Sequence, residues 1–447
     1  MVVSEFPGAP AVGYFKLHTP GLLVRDPELA KTILITEFSN FATNGFFIDR
    51  KYDFLAGSNP FFVRDAEWRT VRSHATAAIT IAKLKWYLPR MMAVGDEMAK
   101  YVEKNCDGGA AALDVKDLGT KFTADILGNA ICGVVNNSFE DPDSLFARIT
   151  REVCFATTVK DNVKDALQTA WPRLSYLFQM RFSSPTSEEQ LLYLTRKMIE
   201  ERAATGDKRN DLYQVAISMR ENDPEEVFTD QYISSLVYTI MLDQYETGSN
   251  AVVNTLFALA WNPEVQDRLR KEIIDFKSKV KGEYTIDNID NLKYLEMVLS
   301  ETLRMCCPVP VLSRECTNDC TITVPSLGKS LKISKGTQII VPNQTIHMDP
   351  TYYPNPEKFD PERFTEEEIA KRPKYTYLPF GEGPKRCLAP RLGSLQVKVA
   401  IISLLARFKI RPAGARFPLA CEPGVFLISS PVSGADLHFE PIETEGN

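Results

Sequence analysis

The chain has 447 residues, 44% of them hydrophobic, and a formal net charge of −6 from 52 basic and 58 acidic residues. That length and apolar content suffice for a large core, and the acidic balance argues against a nucleic-acid partner. No apolar run of about 18 residues occurs, so no transmembrane helix is expected, and no signal-peptide pattern opens the sequence. Nine cysteines without regular spacing fit free thiols in a reducing compartment better than a disulfide scaffold. No Ser/Gly-rich linker or internal repeat divides the chain, so one domain over residues 1–447 is expected.

In chain order, residues 12–25 read as a β-hairpin with Thr19-Pro20-Gly21 as its turn. Asp26-Pro27 then starts a helix, as N-cap and first-turn proline. Residues 40–63 are loop-like and aromatic, with Phe54, Phe61 and Phe62 among them. Core packing is expected for about half of these aromatics. Trp68 and Arg72 stand four apart on a helical segment. Residues 229–261 contain no proline and would span roughly 50 Å as a helix. Thr229 can cap it, and Asn262-Pro263 ends it and starts the next. A helix apolar all round belongs in the middle of the molecule.

Residues 291–306 read as an amphipathic helix on which Glu301 and Arg304 share a face. Strands are expected at 321–324, 331–333 and 337–341, with Pro325, Gly328 and Lys335-Gly336 in the gaps. Cys306, Cys307, Cys316 and Cys320 invite a zinc reading, but irregular spacing without a nearby histidine favours buried thiols. The fold class expected is mainly α with a smaller β region.

The most informative stretch is Phe380-Gly381-Glu382-Gly383-Pro384-Lys385-Arg386-Cys387-Leu388-Ala389-Pro390. Its glycines permit a tight turn with positive φ, and Pro384 stiffens it. It presents one cysteine just before an apolar helical pattern at 392–405. A thiolate ahead of a helix N-terminus is stabilised by free N–H groups and the helix dipole, and a thiolate donating to iron favours O–O cleavage. The string resembles the heme-binding signature F-x-x-G-x-x-x-C-x-G of the cytochrome P-450 superfamily, with Ala389 for the last glycine. Other elements follow in family order: W-x-x-x-R at Trp68 and Arg72, the long helix, E-x-x-R at Glu301 and Arg304, and Pro361-Glu362-Arg363-Phe364.

The resemblance implies a cytochrome P-450 fold with the long central helix over a heme b (iron protoporphyrin IX). It implies Cys387 as the iron ligand and a loop that includes Phe380 and Gly381. Arg72, Arg314 and Lys385 would serve the propionates, which suits the geometry by which cations meet carboxylates. Trp68 would lie near the same propionates or simply in the core. Glu301, Arg304 and Arg363 would form a buried charge triad behind the heme. Asp243-Gln244-Tyr245-Glu246-Thr247 resembles the oxygen-activation motif (A/G)-G-x-(D/E)-T, in which Glu246 and Thr247 relay protons. Asp243 and Gln244 replace the family's small residues there, so Gln244 would point into the pocket, reorganise the relay or slow the chemistry. Pocket candidates are Phe54, Phe61, Phe62, Tyr238, Val309, Val311 and Phe426.

The function implied is insertion of one oxygen atom from O2 into a lipophilic small molecule, such as a plant toxin or insecticide. Residues 22–27, Phe38-Ser39-Asn40-Phe41 and Leu84-Lys85-Trp86 look like insect microsomal members. The alternatives are a heme-thiolate isomerase or dehydratase, or a poorly active ligand-binding heme protein. Residues 371–391 hold six basic residues, namely Lys371, Arg372, Lys374, Lys385, Arg386 and Arg391, against Glu382. Such a patch is a solvated face or a docking site for an acidic electron donor. The resemblance names that donor as an NADPH-dependent flavin reductase, with cytochrome b5 as a second. No nucleotide fingerprint is present in the chain itself. A monomer in peripheral contact with the endoplasmic reticulum membrane, on its cytosolic face, is expected from the family. From the resemblance, an N-terminal anchor and a proline-rich hinge would be expected ahead of the first strand, and neither is read in the residues given.

Overall fold

A computed structural model describes residues 6, 8–16, 19–64, 66–106, 112–154, 181–419, 421–423, 428–431 and 434–442. Helices dominate, with small sheets at the periphery. The central helix, Asp230–Trp261, starts where the Thr229 side chain accepts the Tyr232 N–H. It ends at Asn262, and Pro263 opens the next helix, Pro263–Val280. The central helix is buried on nearly every face, because helices Val115–Asp125, Leu145–Cys154, Pro185–Thr205 and Pro390–Leu405 all pack on it. Its composition, apolar around the whole circumference, follows from that position.

The four-stranded sheet runs Ala11–Lys16, Thr19–Val24, Gln338–Val341, Leu312–Glu315. Its hairpin register pairs Lys16 with Thr19, so Thr19-Pro20-Gly21 belong to the second strand and are not the turn. Pro20 is tolerated there because the parallel ladder to Gln338–Val341 begins only at Gly21. Gly21 leaves room for the ring of its cross-strand partner Tyr14, which would lie 2.3 Å from an added Cβ. Asp26 caps helix Pro27–Lys31 by accepting the N–H groups of Glu28 and Leu29.

The amphipathic helix spans Lys293–Met305. Strands Cys320–Val324 and Lys329–Ile333 pair with each other. The strand expected at 337–341 joins the other sheet, and Leu312–Glu315 beside it had no clear sequence signal. Among the described residues, no helix is long and apolar enough to cross a membrane.

Candidate active site

The cysteine loop is shaped by its glycines. Gly381 and Gly383 have φ of +66° and +76°, and a Cβ on Gly383 would lie 2.0 Å from the Leu34 carbonyl oxygen. The Cys387 N–H donates to Phe380 O at 2.7 Å, and Arg386 N–H to Gly383 O at 3.1 Å. Ala389 then leads into helix Pro390–Leu405, with proline in the first turn. The Cys387 side chain opens onto an internal cavity and is accessible through it. In the protein alone, burial pushes this thiol up to about 11, against the Ala389 backbone N–H and Arg72, which favour the thiolate. A metal cation would reverse that balance, since thiolate ligation expels the proton.

Behind the loop, Glu301 and Arg304 are fully buried. Arg304 Nε and Nη2 donate to the two Glu301 carboxylate oxygens at 2.6 and 2.9 Å. Arg363 Nε lies 3.4 Å from Glu301 Oε1, and the Asp360 N–H donates to the same oxygen at 2.8 Å. Burial raises the Glu301 carboxyl, and these donors pull it back toward the charged form. Arg304 also donates to His347 O at 2.9 Å, and His347 Nε2 accepts the Leu378 N–H at 2.7 Å. The triad therefore braces the strand of chain that leads into the cysteine loop. Burial and Arg304 push His347 down to about 3, which keeps its ring neutral for this acceptor role. Nothing in the sequence marked His347.

Besides the exposed Arg386, three cations line the cavity: Arg72, Arg314 and Lys385. Arg72 donates to Arg386 O at 2.8 Å. Arg314 donates to Asn44 Oδ1 and Ser313 O, and its Nε has no hydrogen-bond partner among the described residues. Burial pushes Arg314 down to about 10. It pushes Lys385 down to about 7, helped by repulsion from Arg314, Arg72 and Arg64. None of the three has an acid within ion-pair distance among the described residues. Buried charges without counter-charges are costly, so the arrangement calls for an anionic ligand in the cavity. Trp68 does not line the cavity. It packs with Phe38, Val63 and Val71, and Lys385 Nζ lies 4.9 Å from its ring centroid, so it supports one of the cations.

The central helix shows Ile240, Asp243, Gln244, Thr247 and Ala251 to the cavity, at the spacing of one helical face. Glu246 lies off that face. Its carboxylate pairs with Lys116 Nζ at 2.5 Å, and Lys116 also reaches Asn250 Oδ1. The acid that lines the cavity is Asp243, not Glu246. The Thr247 hydroxyl lines the cavity and donates to Asp243 O at 2.7 Å. Gln244 Nε2 donates to Gln396 Oε1 at 2.7 Å, joining the central helix to the helix after the cysteine. Gly248 makes room for Gln396, whose amide nitrogen would lie 1.7 Å from an added Cβ.

Phe61, Phe62, Val309, Val311, Phe380 and Gly381 line the cavity. Tyr238 does not: nine positions before Thr247, it points to the opposite side of the helix, into the core. Phe54 packs under the Arg50 guanidinium instead. Phe426 lies outside the described residues. Phe182, Asn44 and Gln396 line the cavity without having been marked by the sequence; of these, only Gln396, polar within an apolar helical run, carried a signal.

The basic patch is smaller than its sequence. Lys371 is paired with Glu367 and Glu368, Arg372 stacks near Tyr353 and Phe364, and Lys385 faces inward. Lys374 and Arg391 remain at the surface, and Arg386, also exposed, lines the cavity mouth.

A family model described as Cytochrome P450 matches residues 5–434. The chain belongs to the cytochrome P450 family. Among curated relatives, Probable cytochrome P450 6a13 of Drosophila melanogaster is 35% identical over 96% of this chain and 85% of its own length. Cytochrome P450 6a2 of the same fly is 32% identical over 97% and 87%. Cytochrome P450 6j1 of Blattella germanica is 30% identical over 95% and 83%. All three are insect proteins, as the wording of the sequence suggested. Membership in the cytochrome P450 family makes this protein an oxidoreductase of the monooxygenase type, built around a heme-thiolate centre. The cavity fits that cofactor: it has one thiol ahead of a helix, three cations lacking acid partners, and otherwise largely apolar walls.

The cations carry a test with two signs. Arg314→Met should stabilise the cofactor-free protein, because it removes a buried unpaired charge. The same change should weaken heme uptake about tenfold, the worth of one hydrogen bond to a charged group. Thermal melts of the apoprotein and heme titrations check both. Loss of stability without loss of heme affinity would make Arg314 a scaffold residue only.

Proposed function

We propose that the protein is a heme b monooxygenase that oxidises lipophilic small molecules such as plant toxins or insecticides. Its electrons come from NADPH through a flavin reductase at the cytosolic face of the endoplasmic reticulum membrane, with cytochrome b5 as a second donor. The observation that carries this reading is the meeting, in one cavity, of Cys387, the cations Arg72, Arg314 and Lys385, and Thr247 on the central helix. When bound, the heme supplies activation of O2 and transfer of one oxygen atom to substrate.

The chain's residues do the rest. Cys387 would hold the iron, from a loop whose backbone is fixed by the Phe380 carbonyl. Arg72, Arg314 and Lys385 would hold the carboxylates of the heme. Thr247 can hold a proton donor at its Oγ1, which already donates to Asp243 O. Phe61, Phe62 and Phe182 form an apolar wall that excludes water from the reacting substrate. The test is substrate-dependent NADPH consumption with a microsomal reductase, read together with hydroxylated product. Consumption that no apolar substrate stimulates, with no product, would sink the proposal.

One observation favours the second reading, a heme-thiolate isomerase, dehydratase or ligand holder. Gln244 crosses the cavity edge to Gln396 where the family has a small residue. If Gln244 only obstructs, Gln244→Gly should raise the fraction of NADPH electrons recovered in product. An unchanged or lower fraction would assign Gln244 a positive role. For the electron donor, Lys374→Glu with Arg391→Glu should slow reduction by the reductase roughly tenfold at low salt, the size expected when steering is lost. Stopped-flow reduction over a salt series checks this, and a salt-independent rate would remove the patch from the account.

A further inference from the structure

We infer that Asp243 makes the cavity selective for lipophilic molecules that carry a fixed positive charge, an ammonium group on an apolar skeleton. The inference rests on the monooxygenase reading and names the substrate class of that site. Asp243 is the one acid among the described residues that line the cavity. Its carboxylate accepts a hydrogen bond from Asn59 Nδ2 at 3.2 Å. No cation among the described residues lies within ion-pair distance of it: Arg72 attracts it from farther off while donating to the carbonyls of Arg386 and Cys387 at 2.8 and 3.5 Å. A carboxylate without a close counter-charge in a largely enclosed cavity is costly, and a cationic ligand reduces that cost.

The surroundings suit such a ligand. Asn59 Oδ1 accepts the Phe61 N–H at 2.7 Å, so the residue holding Asp243 also fixes the start of the aromatic wall. Phe61 meets Phe62 edge-on at 5.3 Å between centroids, and Phe62 lies 5.6 Å from Phe182. Aromatic faces attract an ammonium, most strongly where water is excluded. The wall thus offers a quaternary or protonated nitrogen a carboxylate and ring surfaces together, with aliphatic side chains for its skeleton. In the cofactor-free protein, Arg72, Arg314 and Lys385 repel any cation entering the cavity. The two carboxylates of a bound heme would offset most of that positive charge, so the selectivity belongs to the heme-loaded protein.

The experiment compares trimethyl(4-phenylbutyl)ammonium with its neutral isostere (5,5-dimethylhexyl)benzene. The quaternary nitrogen has no lone pair to ligate iron. Dissociation constants are measured by visible difference titration and calorimetry on heme-loaded wild type, Asp243→Asn and Asp243→Glu. Asp243→Asn should weaken the ammonium about tenfold, the worth of one charged contact, and the isostere by less than about twofold. Asp243→Glu, which keeps the charge, should retain the preference. Equal weakening of both probes, or no change for either, overturns the inference while the heme-thiolate spectrum stands. Wild-type protein that takes up no heme overturns the monooxygenase reading and this inference with it.

Discussion

Glu301→Ala is expected to destabilise the fold by about 3–5 kcal/mol, the range for breaking a buried ion pair from one side. The change leaves Arg304, itself fully buried, without the two carboxylate oxygens that its Nε and Nη2 now reach. It also removes the acceptor of the Asp360 N–H and the charge facing Arg363. Arg304 would keep its carbonyl contacts to His347 and Pro356 and its contacts with the Met348 sulfur and the Tyr353 ring, none of which carries a negative charge. Those contacts steady the chain before the cysteine loop, so heme retention should fall together with stability. Urea unfolding of wild type and variant checks the magnitude. A cost of about 1 kcal/mol or less, the worth of an exposed pair, would mean that the triad does not brace the site.

Cys387→Ser should leave the protein folded and remove every spectroscopic sign of thiolate ligation, with monooxygenase activity lost. Cys307→Ser is the matched control. Cys307 is buried, its thiol donates to Val309 O at 3.2 Å, and burial pushes it up to about 12. It does not line the cavity. A variant lacking Cys307 should therefore keep the wild-type spectrum. The opposite pattern, with Cys387→Ser spectroscopically normal, would displace Cys387 from the centre of the site.

The local signals that could be read were those with local causes. Thr229 and Asp26 cap N–H groups two or three residues on, the prolines at 27, 263 and 390 fix their own backbone, and each stands at the helix start its chemistry dictates. The ordered motifs led to the right family for the same reason: a glycine turn, a cysteine and a helix start are contiguous. What depends on partners distant in sequence was less legible. Thr19-Pro20-Gly21 has turn chemistry, but the register across the sheet placed it in a strand. Tyr238 and Glu246 lie on the right helix but off its cavity face, and only the packing of neighbouring helices fixes that face. Lys371 counted as basic surface until the acids of its own helix were placed beside it. Asn59 and Phe182 gained their places from contacts to Asp243 and Phe62, far along the chain.

The most direct test of the account is the carbon-monoxide difference spectrum of the dithionite-reduced, heme-loaded protein. A strongly red-shifted Soret band is predicted, because Cys387 should hold the iron as a thiolate. An unshifted band, or no heme band at all, would contradict the assignment of Cys387 and its cation-lined cavity as a heme-thiolate site.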